Sequence, residues 1–214
     1  MAQNRPAMDR VILNSEIRSE QDIVLARQRA RQIAGLVGFE RQDQTRIATA
    51  VSEIARNAFE YASGGRVTFA LEAGPGDRRP TDPGYRGLPS VSNGSLVVVI
   101  EDNGPGIQDL QSVLDGRYQS PTGMGLGILG ARRLTDEFHI ESVPGEGTRV
   151  RLTKNLPPSA PFPNSGVLAR ISAELARTAL HDPLTEIARQ NQELLQSLEA
   201  LRARQAEVER LNRE

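Results

Sequence analysis

A chain of 214 residues with 38% apolar side chains can bury one core of ordinary domain size and carry an appendage. Its 26 basic and 27 acidic residues leave a net charge near zero, so neither a nucleic-acid partner nor an anionic membrane is expected on electrostatic grounds. Cysteine is absent, which excludes disulfides and thiolate metal sites. The polar start from Met1 to Arg10, and the lack of any apolar run approaching about 18 residues, lead to the expectation of a soluble, cytoplasmic protein.

Val11 to Ile17 reads as a strand. Ser19 then offers an N-cap, and Ile23, Leu25, Ala26, Ala30, Ile33 and Ala34 recur with helical spacing until Gly35 and Gly38. A second helix is expected from about Gln42 to Ser63, with Ile47, Val51, Ile54, Ala55, Ala58 and Phe59 as its apolar stripe and Gly64-Gly65 ending it. Arg66 to Glu72 alternates as a half-buried strand does, and Leu96 to Ile100 is a continuous apolar strand. Between them, Gly74 to Gly94 is dense in Gly, Pro, Asp and Ser and reads as a long excursion joining two paired strands. A poorly periodic stretch, Gln108 to Thr122, leads through glycines to a helix over Leu126 to Asp136. Phe138 to Ser142 and Thr148 to Leu152 read as a closing hairpin around Pro144-Gly145-Glu146-Gly147. Helices gathered on one face of a mixed or antiparallel sheet make an α+β two-layer sandwich.

This domain is expected over residues 10–155, followed by a proline-rich linker over 156–165 and a helical tail over 166–214. In the tail Asp182 can cap a helix that starts on Pro183. Ile187, Asn191, Leu194, Leu198, Leu201, Gln205 and Val208 then alternate spacings of four and three, a coiled-coil seam with several polar positions. A homodimer through this tail is therefore expected, and the heptads stop in mid-repeat, as in a fragment of something longer.

Three short motifs carry chemistry. Glu101-Asp102-Asn103-Gly104-Pro105-Gly106-Ile107 follows the Leu96 to Ile100 strand. A carboxylate at the end of a buried strand, followed by a glycine turn, stands at the mouth of a pocket and suits an amino-bearing base, although Asp-Asn-Gly is also an ordinary hairpin turn. Glu53 and Asn57 stand four apart on one helix face. A carboxamide oxygen beside a carboxylate suits a hard cation that keeps most of its waters, such as magnesium on phosphates; the same pair also fits a solvated helix face. Ser120 to Gly127 is a glycine-rich approach to a helix N-terminus, where backbone N–H groups and the helix dipole attract an anion. Gly125 to Gly130 matches the dinucleotide pattern G-x-G-x-x-G, but no strand precedes it, so a nicotinamide or flavin site is set aside.

Together and in this order, the three motifs resemble the GHKL ATPase superfamily. Its first box, an acidic residue four before an asparagine, is matched by Glu53 and Asn57; its D-x-G-x-G by Asp102, Gly104 and Gly106; its G-x-G-x-G by Gly123, Gly125 and Gly127; and its last element by Gly147-Thr148. The wording of Ala48 to Asn57, Glu101 to Ile107 and Arg133 to Phe138 is similar to the anti-sigma-factor serine/threonine switch kinases of the RsbT and RsbW type. The long excursion and the heptad tail depart from that group.

The resemblance implies a histidine-kinase-like ATPase fold, with helices on one face of a mixed sheet. It also implies ATP and Mg2+ as cofactors. Asp102 would accept from the adenine amino group, and Thr148 would reach the base through its hydroxyl or a water. Asn57 would ligate the metal. Gly104, Gly106 and Ile107, with Thr122, Gly123, Met124, Gly125, Leu126 and Gly127, would line the nucleotide site. Glu53 would be the catalytic base. Gln108 to Thr122 would be the lid, with Arg117 its basic candidate for a γ-phosphate contact. The implied activity is a serine/threonine kinase acting on a STAS-domain partner in bacterial signalling. Alternatives are an ATP-binding sensor module, or the catalytic part of a histidine kinase, signalling through the coiled coil. His181-Asp182-Pro183-Leu184-Thr185 superficially resembles a phosphoacceptor box, but Pro183 sits where that helix must be continuous.

Overall fold

In the computed structural model, which describes residues 11–72, 94–117, 126–160 and 165–179, the elements begin where local chemistry starts them. After strand β1 (Val11–Ile17), Ser19 closes a capping box on α1 (Glu20–Leu36): its hydroxyl accepts from Asp22 N, and its own N–H donates to Asp22 Oδ2 at 2.8 Å. Ile23, Ala26, Ala30, Ile33 and Ala34 are buried along this helix. Leu25, counted in the same stripe from the sequence, is 38% exposed, because two residues past Ile23 is about 200° around a helix. Helix α2 (Arg41–Ala62) ends on Ser63, which itself takes the left-handed conformation at φ 56°.

Strands β2 (Gly65–Glu72), β3 (Ser95–Asp102), β4 (Glu137–Val143) and β5 (Gly147–Asn155) join β1 in a sheet of order β1-β2-β3-β5-β4. Every pairing in it is antiparallel, which corrects the expectation of a mixed sheet. The reason is topological. Two helices between β1 and β2 return the chain in the opposite direction, and β5 inserts between β3 and β4, which run in the same direction and would pair in parallel if they were neighbours. The α+β reading holds, as does the pairing of the strands that flank the glycine-rich excursion, with Glu72 opposite Ser95. Residues 74–93 of that excursion lie outside the described residues.

α2 and α4 (Leu126–Leu134) pack together, with Ile54, Ala58, Ile128 and Ala131 buried. The other face of the sheet carries a row of alternating charge, one residue per strand: Glu16, Arg66, Glu101, Arg149 and Glu141. Arg66 pairs with Glu16 at 3.2 Å and Arg149 with Glu101 at 2.7 Å, opposite-charge neighbours that favour this register over a slipped one.

The segment expected to be a linker begins as part of the domain: Leu156 and Ala160 are buried, and Leu156 N donates to Gly94 O at 2.9 Å. The chain divides into two units at Ser172, within α5 (Ser165–Ala179); in the first unit Leu168 and Ile171 are buried. The heptads over 187–212, with Asp182, Pro183 and His181, lie outside the described residues. Among the described residues no helix is long and apolar enough to cross a membrane.

Phe69 on β2 is fully buried, so Phe69→Ala is expected to cost about 3–5 kcal/mol in urea denaturation, whereas Leu25→Ala is expected to change stability by no more than about 0.5 kcal/mol.

Candidate active site

At the end of the sheet where β3 finishes, α2, β3, β4, β5 and α4 surround a cavity of about 400 Å³, within the usual range for small-molecule sites. Its walls are apolar where Ile54, Ala58, Ile100, Ile128, Ile140 and Val150 meet, and polar at Asn57, Asp102 and Thr148. Such a lining suits a flat heteroaromatic ring, since the apolar faces take its planes and a few polar groups read its edge.

Asp102 belongs to β3, one turn of pleat beyond the strand end expected at Ile100, because the β5 pairing continues to Asp102 opposite Thr148. Its Oδ1 accepts from Gly104 N at 2.9 Å and Thr148 N at 3.1 Å. Those two bonds hold the carboxylate and leave Oδ2 as an acceptor for a ligand. Burial pushes the Asp102 carboxyl above the usual aspartate range, while the two backbone donors act in the opposite direction. Gly106 takes φ +67° with its α-carbon against the Val143 carbonyl, a position where a side chain would meet the β4–β5 turn. Ile107, Gln108 and Asp109 continue the wall.

Thr148 is held in turn by a residue that sequence reasoning missed. Ser142 on β4 lies opposite it, with the two hydroxyl oxygens 2.9 Å apart. Ser142 Oγ also accepts from Ile107 N at 2.8 Å. No local pattern marks it: Ser142 comes to lie on the face of Ile140 and beside Thr148 only through the β4–β5 pairing.

Glu53 and Asn57 point from α2 toward the start of α4. A side chain on Gly127 would come within 2.9 Å of Glu53 Oε2, so glycine there lets the first turn of α4 approach both residues. Among the described residues, Asn57 Nδ2 is buried without a hydrogen-bond partner. Because the two ends of a carboxamide are interchangeable by rotation, this orphaned polar end fits a group that binds phosphate oxygens or a phosphate-bound cation.

Of the residues expected to line the site, Asn57, Asp102, Gly106, Ile107 and Thr148 surround the cavity, Gly104 braces Asp102, and Gly127 meets Glu53. Thr122, Gly123, Met124 and Gly125 lie outside the described residues, as does the side chain of Leu126. In the lid segment, α3 (Leu110–Leu114) is capped by Asp109, and Val113 is buried. Arg117 is ion-paired with Asp115, so a contact with phosphate would require exchanging that exposed pair.

The raised pKa of Asp102 has a stability consequence. The folded chain holds this proton more tightly than the unfolded one, so the ionised carboxylate lowers stability once pH exceeds its folded pKa, and the penalty vanishes below the ordinary range near 3.8. Asp102→Asn keeps an oxygen for Gly104 N and Thr148 N. It is expected to be at least as stable as the parent at neutral pH, with that advantage gone at pH 3.5 or about there; denaturant titrations at the two pH values measure it.

Residues 42–158 match the family described as histidine kinase-, DNA gyrase B-, and HSP90-like ATPase. Serine/threonine-protein kinase RsbT of Bacillus subtilis (strain 168) is 40% identical over 138 residues, which cover 64% of this chain and 92% of that protein. Proteins named anti-sigma F factor from Thermoanaerobacter sp. (strain X514) and Thermoanaerobacter pseudethanolicus (strain ATCC 33223 / 39E) are each 30% identical over 69 residues, or 30% of this chain and 47% of theirs. With residues 42–158 matched by the family and that likeness over most of the domain, the chain belongs to the histidine kinase-, DNA gyrase B- and HSP90-like ATPase family.

Proposed function

We propose that this protein is an ATP-dependent serine/threonine kinase of the anti-sigma switch type, acting on a serine or threonine of a small STAS-domain partner in bacterial signalling. The observation that carries the reading is a single cavity with a braced carboxylate, Asp102, in its wall and Asn57 beside Glu53 on the helix that borders it. Its likeness to a serine/threonine-protein kinase along nearly that protein's full length supports the hydroxyl as acceptor.

Asp102 Oδ2 accepts from the adenine amino group, and the apolar walls take the ring. Asn57 would hold a magnesium ion, which would supply neutralisation of the charge on the phosphates. Backbone N–H groups at the start of α4, Gly127 among them, bind the phosphates. Glu53 takes the proton of the partner's hydroxyl as its oxygen bonds to the γ-phosphorus and the bond to the bridging oxygen of ADP breaks. Arg117 leaves Asp115 to meet the γ-phosphate when the lid closes. The heptads over 187–212 pair two copies through the tail, and the expected setting is the cytoplasm.

Incubation with labelled ATP and candidate STAS partners tests the activity. An acid-stable label on a partner serine or threonine is expected. Acid-labile label on this chain that disappears in His181→Ala would instead make it a histidine kinase, and ATP binding with no transfer would make it a sensor module. Glu53→Gln should keep nucleotide affinity while transfer falls by about 10²-fold or more, and Asn57→Ala should lose the magnesium dependence of binding. GTP, with a carbonyl where adenine has its amino group, should bind about tenfold or more weakly than ATP in calorimetry. Light scattering on the full chain at high micromolar concentration should report a dimer; a monomer would remove the tail's proposed role.

A further inference from the structure

Asp102, Thr148 and Ser142 form one row across β3, β5 and β4: Asp102 pairs with Thr148, and Thr148 with Ser142. Only the first two line the cavity. Ser142 stands behind Thr148, and its hydroxyl oxygen is the most connected side-chain atom of the row. It accepts from Ile107 N at 2.8 Å, lies 2.9 Å from Thr148 Oγ1, and reaches the Gly147 carbonyl at 3.1 Å.

Counting protons decides what this cluster presents to a ligand. Ser142 has one proton and two acceptors within reach. If it donates to Gly147 O, then Thr148 must donate to Ser142 Oγ, and the cavity sees only lone pairs on Thr148. Beside the acceptor Asp102 Oδ2 that makes two adjacent acceptors. If Ser142 donates to Thr148 Oγ1, the nearer of the two, the Thr148 proton is free to turn into the cavity. The wall then offers an acceptor beside a donor, which complements the edge of adenine, an amino donor next to the acceptor ring nitrogen N1.

We infer that Ser142 is a positioning residue for base recognition: it forms a relay from Ile107 N–H through Ser142 O–H to Thr148 O–H, which aims the Thr148 proton at N1 directly or through one water. Each member donates in the same direction, so each bond polarises the next. The relay also ties base recognition to Ile107, the first residue after the glycine turn that leads into the lid segment. This inference rests on the reading of the cavity as an adenine-nucleotide site.

The test is calorimetry on the full chain with ATP and with 1-deazaadenosine triphosphate, in which N1 is replaced by C–H. The parent should prefer ATP by about tenfold, the usual consequence of leaving a buried donor unpaired. Ser142→Ala should bring that preference to about twofold or less while its circular dichroism and melting stay cooperative, and Ser142→Thr, which retains the hydroxyl, should restore it. A purely structural serine would lower affinity for both nucleotides together and leave their ratio alone. An undiminished ratio in Ser142→Ala overturns the relay. Should Ser142→Ala not fold, Thr148→Val supplies the second arm: the ratio must collapse there, and its survival overturns the relay equally. A parent that binds ATP and its 1-deaza analogue alike sinks this inference alone, whereas a parent that binds neither sinks the nucleotide-site reading with it.

Discussion

The antiparallel register between β3 and β5 is the constraint on which the site depends. It sets Asp102 opposite Thr148, lets the Thr148 N–H reach the Asp102 carboxylate, and carries β4 alongside so that Ser142 completes the row. Because side chains alternate between faces, a slip of one residue would turn Asp102 to the far side of the sheet and dismantle the wall. Several independent features oppose such a slip. Val98 and Ile100 pair with Leu152 and Val150 on the helix-covered face, and on the opposite face Glu101 meets Arg149. Charge on one face and apolar burial on the other thus specify the same alignment.

A second constraint comes from the close approach of two helices. α4 can start against Glu53 and Asn57 only because residue 127 has no side chain, and this approach leaves the Asn57 carboxamide with a buried end that nothing among the described residues satisfies. Asp102 is held above its usual pKa by burial. Both features lower the stability of the folded chain, and both lie at the cavity, where a ligand could compensate them. That is how binding sites differ from cores: groups are kept desolvated and braced so that they need no rearrangement when a partner arrives.

The glycine-rich stretch over 74–93 enters and leaves the sheet far from this arrangement. It joins β2 and β3 where Glu72 faces Ser95, at the opposite end of β3 from Asp102 and about 24 Å away by strand rise. Loop closure grows only slowly in cost with length, so the hairpin register can be kept by its paired strands however long the connection becomes.

Much of this was legible in the chain because it is written in local periodicity. The Ser19 cap, the helical stripe ending at Ser63, the alternation of Arg66 to Glu72 and the turn at Pro144 to Glu146 each depend on residues close in sequence, and they stand where their patterns put them. The placing of Glu53 and Asn57 on one helix, and of an acidic residue at the end of a buried strand, was legible in the same way. What local patterns could not supply was strand order: the insertion of β5 between β3 and β4 makes the sheet antiparallel throughout, and nothing in either hairpin strand announces it. For the same reason Leu25 looked like core until α1 was oriented, and the first residues of the expected linker proved to be packed. Ser142 escaped notice because a lone serine in an edge strand has no signature; its role arises only when tertiary pairing sets its hydroxyl beside Thr148 and the Ile107 amide, groups brought together by hydrogen-bond geometry across three segments of the chain.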